Sequence, residues 1–151
     1  MNIIARRPVL IAALSLALLG ALVLSLMPDR GAAQAPPITA APSAAQITAA
    51  PVLLVDIRRP EEWVETGVLP NALLITFESP AQFLRALAPH LQPGQPVALI
   101  CRTGNRTAQA ARILAPVLEQ PVIDLAGGMF RLMAEGYRPE RPTRAAGCTV
   151  C

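Results

Sequence analysis

Val97-Ala98-Leu99-Ile100-Cys101-Arg102-Thr103-Gly104-Asn105-Arg106-Thr107-Ala108-Gln109-Ala110-Ala111-Arg112 is the stretch that decides the fold. Four apolar residues of strand length run into a cysteine, a short polar loop with a central glycine follows, and a helical pattern begins after it. Such a strand–loop–helix turn directs backbone N–H groups inward and aims the positive end of the helix at the loop. The concavity suits an anion. Arg102 and Arg106 add two permanent positive charges, a setting that favours the thiolate, the nucleophilic form of cysteine. Cys101 is therefore the candidate nucleophile. Arg102, Thr103, Gly104, Asn105 and Arg106 form the candidate loop around it, with Gly104 permitting the tight turn.

Working outward, the same alternation recurs. Val52 to Val55 is an apolar run ending in Asp56, Ala72 to Ile75 is a second, and Val122 to Leu125 a fourth, each of strand length. Between them lie helical signals. Pro60 opens a short helix to Glu65, and Ser79-Pro80 starts another whose Phe83, Leu87 and Leu91 fall on one stripe. Ala110, Ile113, Leu114 and Val117 give a further stripe, and Met129 to Glu135 a last short helix. Strands alternating with helices predict an α/β domain over residues 51–140, with a central parallel sheet flanked by helices. Ligands of such sheets bind beyond the carboxyl ends of the strands, where Cys101 stands.

The ends of the 151-residue chain read differently. Two arginines, Arg6 and Arg7, precede Val9 to Met27, nineteen residues without a charge. A helix of that length spans about 28 Å, near the thickness of a bilayer's apolar core. Residues 1–27 thus predict a signal anchor, with a transmembrane helix at 9–27, or a cleaved signal peptide. The positive-inside rule then sends the domain to the extracytoplasmic (periplasmic) side. Residues 28–50, rich in alanine and proline, predict an unstructured linker. Residues 141–151 form a tail ending in Cys148-Thr149-Val150-Cys151. The net charge of +3 is not concentrated on the domain, where ten arginines face nine acidic residues from Pro51 onward. With no basic cluster and few aromatics to stack bases, nucleic acid is excluded as a partner.

Three separated blocks resemble the rhodanese-like (sulfurtransferase) family. Val55-Asp56-Ile57-Arg58-Arg59-Pro60-Glu61-Glu62-Trp63 is similar to its D-V-R-x-P-x-E-[YWF] segment, Cys101 to Arg106 to its C-R-x-G-x-R loop, and Gly127-Gly128 with Gly136 to its terminal G-G-I…G element. The chain departs from the family at Gly67-Val68-Leu69-Pro70-Asn71-Ala72, where a frequent histidine is absent, and at Leu132, where tryptophan is frequent. Four residues separate Cys101 from Arg106; phosphatases of the same fold have a loop one residue longer, so the spacing points to sulfur rather than phosphate. The resemblance implies that Cys101 takes a sulfane sulfur from thiosulfate or a related small anionic donor as a persulfide, and passes it to a thiol or cyanide acceptor. No cofactor and no metal are implied. Asp56 and Arg58 are expected to support the strand end as an ion pair. Arg102 is expected to meet the anionic donor, and Arg106 to turn inward to Glu62.

Two other readings stand beside this one: a non-catalytic rhodanese-like binding module, and a thiol redox protein using Cys148 and Cys151. One C-x-x-C without a second pair does not complete a zinc site. In an exported chain it predicts a local disulfide or a frayed end. A sharper expectation is that one of its thiols reaches Cys101 and relays the sulfur. His90, the only histidine, falls at a helix end and is expected at the surface.

Overall fold

The computed structural model describes residues 35–151. Five strands form one parallel sheet: β1 (Ile38–Ala40), β2 (Leu53–Asp56), β3 (Leu73–Leu74), β4 (Val97–Ile100) and β5 (Val122–Leu125). Their order is β1-β5-β4-β2-β3. The connecting helices are α1 (Ala44–Ala49), α2 (Pro60–Thr66), α3 (Pro80–Leu87), α4 (Asn105–Leu114) and α5 (Gly128–Ala134). A 3₁₀ turn, Ala88–His90, extends α3 and leaves His90 exposed.

Strand β4 lies at the centre, all four residues buried, paired in register with β2 through Asp56 and Ile100 and with β5 through Val97 and Val122. A strand covered on both faces must be apolar throughout, which is why it reads as a continuous run. Its side chains alternate between two cores. Val97, Leu99 and Cys101 enter one, with Phe83, Leu87 and Leu114. Ala98 and Ile100 enter the other, with Trp63, Met129, Leu132 and Cys148. The stripe on α4 is narrower than its periodicity implies: Thr107, Ala110, Ala111 and Leu114 are buried, while Ile113 and Val117 are about half exposed.

One expectation is corrected. The expected linker at 28–50 is not one along its whole length. Ile38–Ala40 pairs in parallel with β5 as an edge strand, and Ser43 and Gln46 cap α1 reciprocally, the Gln46 amide donating to Ser43 Oγ at 3.3 Å and the Ser43 amide to Gln46 Oε1 at 2.9 Å. Pairing to a preformed edge and a capping box stabilise what alanine-rich composition alone does not. Of the two expectations for the tail, a local disulfide or a frayed end, the disulfide is the one present. The Leu74 amide donates to the Ala146 carbonyl at 2.7 Å, and Cys148 is buried and disulfide-bonded to Cys151. The stretch Val9–Met27, expected to form a membrane or signal helix, lies outside the described residues. Among the described residues no helix is long and apolar enough to cross a membrane.

Candidate active site

Asp56 and Arg58 form the base of the site. Both are fully buried, and Asp56 accepts from Arg58 Nε at 2.9 Å and Nη2 at 2.7 Å. The remaining Arg58 donors reach the Glu62 carbonyl at 3.2 Å, the Gly67 carbonyl at 2.7 Å and Thr66 Oγ1. A buried guanidinium is tolerated only when its donors are matched and its charge is paired; here it ties the end of β2 to the whole of α2. The expected strand-end ion pair is present, and it also sets the position of Glu62.

Glu62 faces the cysteine loop from α2. Its two oxygens accept from Arg106 Nη1 at 2.7 Å and Nη2 at 2.5 Å, a bidentate fork, and Oε2 also accepts from the Arg59 amide at 3.0 Å. Burial pushes the Glu62 carboxyl up, but the Arg106 hydrogen bond, the Arg59 amide and the charges of Arg106 and Arg58 outweigh it and hold the group below its ordinary value. Arg106 is raised in turn, chiefly by the hydrogen bond from its side chain to Glu62 and against the opposing effect of burial. For a depressed carboxyl, the stabilisation is complete above the unfolded value of ~4.3 and is lost as pH falls through the lower folded one. Stability is therefore expected to fall on the acid side below the ordinary glutamate range. In Glu62→Gln, thermal midpoints measured against pH should show that acid-side loss reduced or gone, and an unchanged profile would remove Glu62 from this role.

Cys101 sits at the carboxyl end of β4, within the loop, and is fully buried. The Gly104 amide donates to Sγ at 3.2 Å, and Thr107 Oγ1 lies 3.7 Å from it. Thr107 Oγ1 also donates to the Gly104 carbonyl at 2.9 Å, closing the loop onto the first turn of α4. Gly104 has φ +90°, a left-handed conformation that glycine adopts without penalty. On the other side the N–H groups of Met129 and Phe130, at the start of α5, donate to the carbonyls of Cys101 and Arg102 at 2.9 and 3.0 Å. This close approach requires Gly128, where a Cβ would collide with the Cys101 carbonyl. Thr103 and Asn105 are exposed on the loop's outer side.

Between the loop's arginines and the start of α2 is an open basin of about 600 Å³ lined by Arg59, Glu61, Glu62, Arg102 and Arg106. Two of its guanidinium groups are engaged. Arg106 holds Glu62, and Arg102 lies 4.6 Å over the Phe130 ring and 3.7 Å from Glu65. Arg59 is exposed and has no ion pair among the described residues; it also borders the adjoining pocket with Thr76 and Glu78. Arg59 was not legible as a site residue, because an exposed arginine at a helix start acquires meaning only from its neighbours in space. Thr107 and Gly128 were missed as well. A buried threonine one turn into a helix gives no distinct signal, and the double glycine is legible only as a motif match, since its approach to the Cys101 carbonyl is a contact in space. The sequence-selected residues Asp56, Arg58, Glu62, Cys101, Arg102, Gly104 and Arg106 are brought together. Cys148 and Cys151 are not among them: the pair is oxidised, and Cys148 is buried on the opposite face of the sheet from Cys101, so the arrangement gives no direct relay.

A family model for the rhodanese-like domain matches residues 39–135. Among solved structures the chain is similar to a rhodanese-related protein from Thermoplasma volcanium, at 27% identity over 68% of this chain and 95% of that one, with a TM-score of 0.51. It is also similar to a protein from Staphylococcus saprophyticus, at 26% identity over 68% of this chain and 97% of that one, TM-score 0.51. A rhodanese-like domain protein from Staphylococcus aureus shares the fold at 22% identity, over 70% of this chain and 99% of that one, TM-score 0.50. No curated protein matches the chain.

Proposed function

The chain belongs to the rhodanese-like family, and from that premise we propose that it is a sulfurtransferase working through a persulfide on Cys101. The Cys101 thiolate attacks the outer sulfur of thiosulfate; the S–S bond of the donor breaks and sulfite leaves with the electron pair. The Cys101 persulfide then gives its terminal sulfur to cyanide, releasing thiocyanate, or to a thiolate, forming a new persulfide, and the Cys101 thiolate is restored. The observations that carry this reading are the inward Gly104 N–H on Sγ and the basin with three arginines, two of them from the cysteine loop. Fixed amide donors suit a sulfur anion that persists through the cycle. Mass spectrometry after thiosulfate treatment tests it: a gain of ~32 Da on the Cys101 peptide, one added sulfur, is expected. No gain, with activity no higher than that of Cys101→Ser, would favour the non-catalytic module.

Within this reading Arg59 contacts the donor anion, because it is the basin guanidinium without an internal partner, while Arg102 braces the rim against Phe130. A single charge-assisted contact made equally in ground and transition states changes binding rather than turnover. Arg59→Ala is expected to raise KM for thiosulfate about tenfold and leave kcat nearly unaltered. A fall in kcat with KM unchanged would assign Arg59 to the chemical step instead, and no effect would return the donor contact to Arg102.

Export to the periplasmic side, through an anchored or cleaved segment at 1–27, belongs to the same proposal. The uncharged stretch Val9–Met27 and the Cys148–Cys151 disulfide support it, since disulfides persist in oxidising compartments. A reporter enzyme that is active only outside the cytoplasm, fused after Cys151, is expected to be active; silence would contradict export.

A further inference from the structure

We propose that the Cys148–Cys151 disulfide is a second reactive centre, a thiol–disulfide exchange site opened by a dithiol reductant through attack at the Cys151 sulfur. The two half-cystines differ sharply in surroundings. Cys148 is 2% exposed, in the core with Trp63 and Leu74, and its amide donates to the Thr143 carbonyl at 3.1 Å. Cys151 is exposed and borders a groove of about 380 Å³ with Val64, Arg141, Pro142 and Val150.

The groove has features that suit an incoming thiol. Val64 and Val150 are 56% and 61% exposed, apolar walls for the carbon frame of the attacking molecule. Arg141 is exposed, with no ion pair among the described residues, and a cation beside an approaching thiol favours its thiolate. A bridge spanning only two intervening residues constrains the unfolded chain very little, so stapling the fold is not what distinguishes it. The segment before it is held without the bridge, through the Ala146 carbonyl on the Leu74 amide and the Gly147 backbone packed against the Leu74 carbonyl.

The step balances as an exchange. A thiolate of the reductant attacks Cys151 Sγ, a mixed disulfide forms, and Cys148 leaves as the thiolate. The second thiol of the reductant then attacks its own sulfur in the mixed disulfide, releasing Cys151 as a thiolate; the reductant ends oxidised by two electrons and this pair reduced. The sheet separates Cys148 from Cys101, so the centre is independent of sulfur transfer.

The test uses the full chain with Cys101→Ser, so that only these two sulfurs report. Under native conditions dithiothreitol is expected to open the bridge so that maleimide labels Cys151, with buried Cys148 labelled only after denaturation, while the thermal unfolding transition persists. With Cys148→Ser added, oxidised glutathione should form a mixed disulfide on Cys151 at least about tenfold faster than it does on Cys148 when Cys151→Ser is added instead, since access governs exchange rates. A bridge that opens only in denaturant, or equal rates for the two single-thiol variants, would overturn the proposal. Because Cys101 is absent throughout, failure here leaves the sulfurtransferase reading untouched, and the reverse also holds.

Discussion

Asp56→Ala is expected to lower the thermal midpoint by about 10–20 °C. The carboxylate neutralises a guanidinium that is itself fully buried, and it accepts from Nε and Nη2 and from the Arg58 amide at 3.1 Å. Removing one member of such a pair leaves a buried charge uncompensated, at a cost of about 3–5 kcal/mol. A domain of this size loses about 3–5 °C per kcal/mol. The loss is a large fraction of the ~5–15 kcal/mol that holds a typical domain together. Circular dichroism melts check it. The double variant Asp56→Leu with Arg58→Met removes both charges and should recover part of the loss, because no lone ion remains. A midpoint within about 3 °C of the parent in the single variant would mean that water or a rearranged Glu62 takes over the charge, and the base of the site would have to be redrawn.

Cys101→Ser has the largest expected effect on activity: thiosulfate:cyanide sulfur transfer should drop to the uncatalysed level, a loss of at least about 10³-fold. A serine hydroxyl cannot carry the sulfane sulfur, so the covalent route disappears and no weaker version of it survives. The substitution is nearly isosteric, and the Gly104 amide and Thr107 hydroxyl can bond an oxygen as well as a sulfur. The fold should therefore stay intact, and equal melting curves would show that chemistry alone was lost. Turnover that survives in the variant would place the nucleophile elsewhere.

The cysteine loop was legible because a buried parallel strand, a cysteine at its carboxyl end and a glycine-bearing turn are all local features. Arg106 and Glu62 are 44 positions apart in sequence, yet their pairing was legible too, through motif resemblance, and the bidentate contact is present. The edge strand was not legible. Ile38-Thr39-Ala40 is too short for alternation to register, and its ladder partner, β5, comes more than 80 residues later. The signal available was Ser43 three residues before Gln46, a capping box amid alanines and prolines. The tail was half legible. Its C-x-x-C spacing allowed a local disulfide, but the burial of Cys148 depends on the Leu74 edge and the core beneath it, contacts no local pattern encodes. Arg59 marks the limit most clearly, since its interest lies in a missing partner.

The hold of α5 on the cysteine loop gives that loop a reporter of its own. The protons on the Met129 and Phe130 nitrogens exchange with deuterium from solvent only when their bonds to the Cys101 and Arg102 carbonyls open. Their exchange rates thus time the opening of the loop backbone over minutes to hours, a slice of motion that no steady-state assay resolves. If access to the fully buried sulfur requires that opening, slow exchange at these two amides sets a ceiling on how fast a donor can reach it. If turnover outpaces their exchange, only side chains move aside, and the loop enters each cycle already ordered.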